Sequence, residues 1–327
     1  MPPKKKQTNG STHEKDAKAE EAPQLHTNSN HAVSSDEKKA KPSANETAKK
    51  RKAGNSSASP NKAPRRSGCS APSASTDSLK LLQYLLSPSS LELCRPKDET
   101  EDLKNRGADT RTYSSSTFTP FEELVCATIL SRPIGHMLGL RSIRTIFNAP
   151  YNLTSPKAIR KAGNEGCREA LDKARTQHRQ KTAEELVILA DAVVDTLGSS
   201  EDDVSLEKMR EACGDDVDKQ REMLKKNIKG LGKTGLDIFA RRMQGVWEEW
   251  YPFIDGRTLG AAEKLGMPGT AEGLKEFLED NWGELEVKDI EAEGEEEKKR
   301  RAFVKILERA VGADLEGNIE DIKTAAA

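Results

Sequence analysis

Aromatic side chains make up only 4% of the 327 residues and hydrophobic residues only 34%, while 33% are charged. Mean hydropathy is −0.76. So polar a composition excludes one uniformly packed globule and predicts that part of the chain is disordered. Cysteine is scarce as well. Cys69, Cys94, Cys126, Cys167 and Cys213 are scattered, odd in number and without a Cys-x-x-Cys pair, which argues against a disulfide scaffold and a zinc ribbon. No apolar run approaches a membrane span, and the lysine-rich start lacks the apolar segment of a signal peptide. A soluble, intracellular protein without a membrane partner is expected.

The formal net charge of −1 hides an asymmetry. Residues 1–77 are dominated by Lys, Ser, Ala, Asn and Pro, with basic side chains in excess, and read as a disordered basic tail. Lys49-Lys50-Arg51-Lys52, followed by Arg65-Arg66, has the form of a bipartite nuclear localisation signal. A nuclear location is therefore expected, and such an arm adds loose attraction to nucleic acid.

Beyond the tail, the apolar residues recur at helical spacing and convincing strands are absent. The leucines of "SLKLLQYLL" (78–86) follow Asp77 and Ser78, which can cap a helix. A polar stretch over 95–116 comes next. Thr119-Pro120 then opens a helix carrying Phe121, Leu124, Val125, Thr128 and Ile129 on one stripe. Ser155-Pro156 starts a short helix that Gly163 should stop, and "TAEELVILADAVVDTLG" (182–198) has a broad apolar face. An acidic insert over 199–219 precedes the stretch "IKGLGKTGLDIFARR" (228–242), whose stripe continues through Leu236, Phe239, Ala240, Met243, Val246, Trp247 and Trp250. Two further helices are expected at 258–266 and 271–281, and another after the charged run "EAEGEEEKKRR". The fold class is all-α. The reading divides the chain into a basic tail (1–77), a short helix with a polar linker (78–117), a helical domain (118–283), and a charged spacer with a C-terminal helix (284–327).

Gly232-Lys233-Thr234 ends like a nucleotide-binding P-loop. That motif needs its first glycine five residues earlier, where Asn227 stands, and a buried strand before it, where a charged helical segment runs. The P-loop is rejected. A different phosphate site fits better: Gly230-Leu231-Gly232 between two helices leaves backbone N–H groups exposed at the second helix's start, where the helix dipole favours an anion. Lys225, Lys226, Lys229 and Lys233 surround the turn with positive charge.

With Ile254-Asp255-Gly256 downstream and "FEELVCATILSRPIG" upstream, the segment over about 119–267 resembles the helix-hairpin-helix DNA glycosylase superfamily, which includes endonuclease III and the mismatch glycosylases. The resemblance implies a two-lobed helical fold, a double-stranded DNA partner with a damaged or mismatched base, a monomer, and Asp255 as the catalytic carboxylate. It also implies DNA contacts at Lys229, Gly230, Gly232, Lys233 and Thr234. The chain departs from the family at telling places. Thr234 occupies the position of the lysine that forms a Schiff base in bifunctional members, which implies hydrolysis without β-lyase activity. No cysteine follows Cys213, so no iron–sulfur cluster is expected, and no other metal or cofactor is implied. Arg132 stands where the family's intercalating glutamine belongs and could fill the gap or hold a phosphate. Asp255 also sits where an N-cap belongs. A catalytically inactive DNA-binding module is thus the alternative, and the two differ in whether Asp255 faces a cleft.

Overall fold

The computed structural model of the chain describes residues 76–107 and 109–327. The basic tail, its localisation signal and Cys69 lie outside the described residues, apart from Thr76 and Asp77. Within them the structure is helical throughout, without strands: α1 (Thr76–Leu86), α2 (Leu91–Cys94), α3 (Lys97–Arg106), α4 (Pro120–Leu130), α5 (His136–Ile146), α6 (Pro156–Lys173), α7 (Arg179–Asp191), α8 (Glu207–Cys213), α9 (Val217–Asn227), α10 (Lys233–Met243), α11 (Gly256–Lys264), α12 (Ala271–Asn281), α13 (Glu295–Glu316) and α14 (Ile319–Ala326).

Local chemistry explains the ends of the helices. Thr119 and Glu122 form a reciprocal capping box at the start of α4, with Pro120 at the first helical position, where its missing N–H costs nothing. Ser155, Asp216, Asp255 and Thr270 cap α6, α9, α11 and α12 with their side chains. Gly163 takes a left-handed φ of 61° and breaks the path of α6, but the chain resumes its helix as far as Lys173. The acidic insert is ordered into α8 and the first turn of α9.

Two apolar clusters hold the elements together. The first packs α4 against α10 and gathers α5–α9, with Phe239, Trp247 and Trp250 meeting edge-on or tilted at its centre. The stripe expected along α10 is buried except for Val246, which is 37% exposed because the helix has ended at Met243. The second cluster joins α1 and α11–α14 around Phe303, Ile306 and Leu307. Each fully buried Leu, Ile or Phe contributes about 1.5–3 kcal/mol of transfer free energy.

Two segments read as connectors are structural. The stretch over 95–116 contains α3, whose acidic face binds α5: Asp98, Glu99 and Asp102 all pair with Arg144, which is almost wholly buried. The helix was hidden in the sequence because ion pairs rather than an apolar stripe hold it. Likewise, from Glu295 onward "EAEGEEEKKRR" forms the first turns of α13, whose later turns bury Ala302, Phe303, Ile306, Leu307 and Ala310.

Gly312 sits where α13 crosses α2, and a Cβ there would run into the carbonyl oxygen of Cys94. Gly312→Ala should lower the urea midpoint by the equivalent of about 1–3 kcal/mol, the usual cost of overpacking. Gly260→Ala, in α11 with open space at its Cβ, should raise it by about 0.5–1 kcal/mol through helix propensity.

Candidate functional site

The turn between α9 and α10 is built as its glycines suggested. Gly230 has φ 85°, and a Cβ there would press on the Arg132 guanidinium and the Glu185 carboxylate beneath. Leu231 is buried and anchors the turn, while Gly232 lies exposed with nothing near its Cβ position. Gly232 caps α10 without a side-chain acceptor, and the first backbone bond of the helix is the Leu236 N–H to the Gly232 carbonyl. The amides of the first turn, at Lys233, Thr234 and Gly235, therefore have no intrahelical partner. Lys225, Lys226, Lys229 and Lys233 are all exposed around them.

Beside this turn opens a cleft of about 590 Å³ between the two apolar clusters. Its wall includes Leu130 and Leu140 from the first cluster and Cys94 from the second. Asp255, Thr234 and Arg132 line it, whereas Gly230, Gly232, Lys229 and Lys233 sit on the exposed turn outside its lining. Arg132 is ion-paired to Glu185 and mostly buried. It lies against the turn at Gly230 while also lining the cleft.

Asp255 caps α11 and is fully engaged. Its Oδ1 accepts the N–H groups of Arg257 and Thr258 at 3.1 and 3.2 Å; its Oδ2 accepts the Thr258 hydroxyl at 2.6 Å and Arg241 Nη1 at 2.7 Å. Burial alone would raise its pKa, but the Arg241 charge and the Thr258 hydroxyl hold the carboxyl below the ordinary carboxylate value. Arg241 also donates through Nε to Glu308 at 2.6 Å. Beyond it, Arg242 donates to Glu123 at 2.9 Å and lies over the Tyr113 ring at 4.5 Å. The network Asp255–Arg241–Glu308 thus ties α10, α11 and α13 together at the cleft wall.

Several cleft residues escaped the sequence reading: Tyr113, His136, Arg241, Arg257, Glu308 and Arg309. A signal existed for some. Arg241-Arg242 and Glu308-Arg309 interrupt apolar stripes, and a charge at a buried helical position requires a partner. Tyr113 and His136 carried none: Tyr113 stands in the polar connection before α4, and His136 is a lone polar residue at the start of α5. Phe121 and Trp250, from the expected apolar stripes, are core residues, and Tyr251 packs its ring on Phe303 at 5.1 Å.

Burial pushes the His136 imidazole down to about 4, against Glu308; Arg241 and Arg257 push the same way, and Asp98 opposes them. The ring is neutral at pH 7. No family model, curated protein or solved structure matches this chain.

Because the folded pKa of His136 lies below the unfolded value of about 6.5, its contribution to stability is complete above that pH and is lost as pH falls towards 4. The loss is up to about 1.4 kcal/mol per pH unit in that interval. Urea midpoints measured at pH 7 and pH 5 should differ less in His136→Gln than in the native protein. Arg241→Met, which removes the shared cation of two mostly buried carboxylates, should cost about 3 kcal/mol by the same measurement.

Proposed function

We propose that this chain is a monofunctional DNA glycosylase of helix-hairpin-helix type, acting in the nucleus as a monomer on a damaged or mismatched base. One observation carries the reading: Asp255 opens onto the cleft together with Thr234, the first-turn residue of the helix behind the glycine turn. The turn would hold a backbone phosphate on its unpaired amides, with the four lysines adding attraction. The cleft would receive the flipped nucleotide, since the glycosidic carbon is not accessible within the stack.

The chemistry asked of Asp255 is electrostatic. Cleavage of an N-glycosidic bond develops positive charge on the sugar, which an ionised carboxylate fixed nearby stabilises. A carboxylate offers about four acceptor positions, and four donors already occupy those of Asp255. It is therefore cast as a fixed negative charge rather than as the base that deprotonates water. Thr234 lines the cleft and Lys233 does not, so no amine is placed to form a Schiff base. The product is an abasic site on an intact strand.

A second reading has its own support. The four bonds to Asp255 also suit a purely structural cap, and Arg241 offsets its charge, as in a DNA-binding module without catalysis. An excision assay on duplexes bearing uracil, thymine mismatches, alkylated purines and oxidised bases separates the two. The glycosylase should release one of these without a borohydride-trapped adduct, and Asp255→Asn should slow release by about 10²–10³-fold. Because Asn still caps a helix but loses the bond to Arg241, its stability cost should stay within about 1–3 kcal/mol. Binding without release on every duplex would leave the DNA-binding module as the better reading.

The turn itself has a separate test. Gly232→Ala has room in the folded protein, so it should cost no more than about 1 kcal/mol, for the poorer N-cap, while weakening duplex binding through its collision with the phosphate. Gly230→Ala should destabilise the fold, because the substituted residue must hold a positive φ over Arg132 and Glu185. Native-like duplex affinity for Gly232→Ala would remove the turn from the DNA interface.

A further inference from the structure

Apart from Nε and Nη2 of Arg132, which is ion-paired to Glu185, three buried or half-buried polar atoms on side chains that line the cleft lack a hydrogen-bond partner among the described residues: Tyr113 Oη, His136 Nε2 and Arg309 Nη1. Tyr113 and Arg309 are 4% and 5% exposed, and the nearest carboxylate to His136 Nε2, that of Glu316, is 3.7 Å away. A buried polar atom left unpaired costs about 1–3 kcal/mol, so three along one cleft mark a surface suited to a ligand's polar edge. The donors define that edge. Arg309 can only donate, whereas Tyr113 and a neutral His136 can each donate or accept.

The cleft also discriminates by charge. Its three carboxylates are all committed to arginines: Asp237 to Arg221, and Asp255 and Glu308 to Arg241. Arg257 and Arg309 line the same space. A cationic ligand would find no free carboxylate there and would face an unpaired guanidinium N–H.

Resting on the glycosylase reading, we infer that Tyr113, His136 and Arg309 recognise a neutral base through a carbonyl-bearing edge of the lactam or imide kind. Such an edge, as in uracil, thymine or an oxidised base, alternates carbonyl oxygens with a ring N–H. Arg309 supplies the donor to a carbonyl oxygen, and the two amphoteric groups complete the pairing with the adjoining N–H or second oxygen. Cationic alkylated purines are disfavoured. A site built to hydrogen-bond its ligand rejects analogues strongly, because they leave its buried groups unpaired.

The test uses the full chain on four duplexes, bearing uracil, a thymine mismatch, an oxidised purine or 7-methylguanine, with a tetrahydrofuran abasic analogue as a binding control. Single-turnover excision should favour the three neutral bases over 7-methylguanine, which keeps a lactam edge but carries a positive charge. Tyr113→Phe, which removes only the hydroxyl, and Arg309→Met should each slow excision of the favoured base by about 10- to 100-fold. Affinity for the abasic analogue, which presents no base, should stay unchanged in Tyr113→Phe, so that a folding defect is recognised by its loss. Preferred release of 7-methylguanine would overturn the inference and leave the glycosylase reading standing. Equal losses on every base in Tyr113→Phe would also overturn it. Binding to all duplexes with no base released would remove the glycosylase reading on which the inference rests.

Discussion

The bidentate hold of Arg241 on Asp255 and Glu308 is the constraint on which the cleft depends. One guanidinium from α10 bridges the start of α11 and the middle of α13, and α13 belongs to the second apolar cluster. Buried ion pairs of this kind are weak devices for stability, since desolvation offsets most of their attraction. Their geometric demand is strict, however. Arg241 links the two apolar clusters at the cleft wall, and its charge helps to hold the Asp255 carboxyl below its ordinary pKa where the cleft opens.

That arrangement also explains why Asp255 serves two purposes without conflict. Its Oδ1 satisfies two of the orphan amides at the start of α11, as any capping aspartate does. Its Oδ2 is turned to Thr258 and Arg241. The same bonds that make it a good cap orient a negative charge at the edge of the cleft, which is what the proposed reaction asks for. The opposing influence is Arg241 itself, and the Arg241–Glu308 bond matters here. By sharing its charge between two carboxylates, Arg241 leaves the trio with a net negative charge.

The glycine turn shows how two similar residues can be required for different reasons. At Gly230 the requirement is internal: a left-handed backbone resting on the Arg132–Glu185 pair. At Gly232 nothing within the protein forbids a side chain, so any requirement there comes from outside the molecule. The pair reads as one motif in the sequence, but the structure separates a folding glycine from a candidate contact glycine.

The sequence by itself determined the helical class, most caps and the turn, because these follow from local chemistry: Thr119-Pro120, Ser155-Pro156, the spacing of the apolar residues and the freedom of glycine. It also placed Asp255 at a helix start. What only the tertiary structure decided was which distant segments meet. Tyr113, from a stretch read as linker, and Arg309, from a helix read as an appendage, reach the same cleft as Asp255. Tyr113, in the polar connection after α3, carried no periodic signal, and Arg309 carried only that of a charge interrupting an apolar stripe, which does not say what it faces. Arg132, read as a DNA contact, lines the cleft and is also paired with Glu185, a residue remote in sequence and buried beneath the turn. Local pattern fixes where helices begin and end, whereas pairing between buried charges is a property of the assembled surfaces.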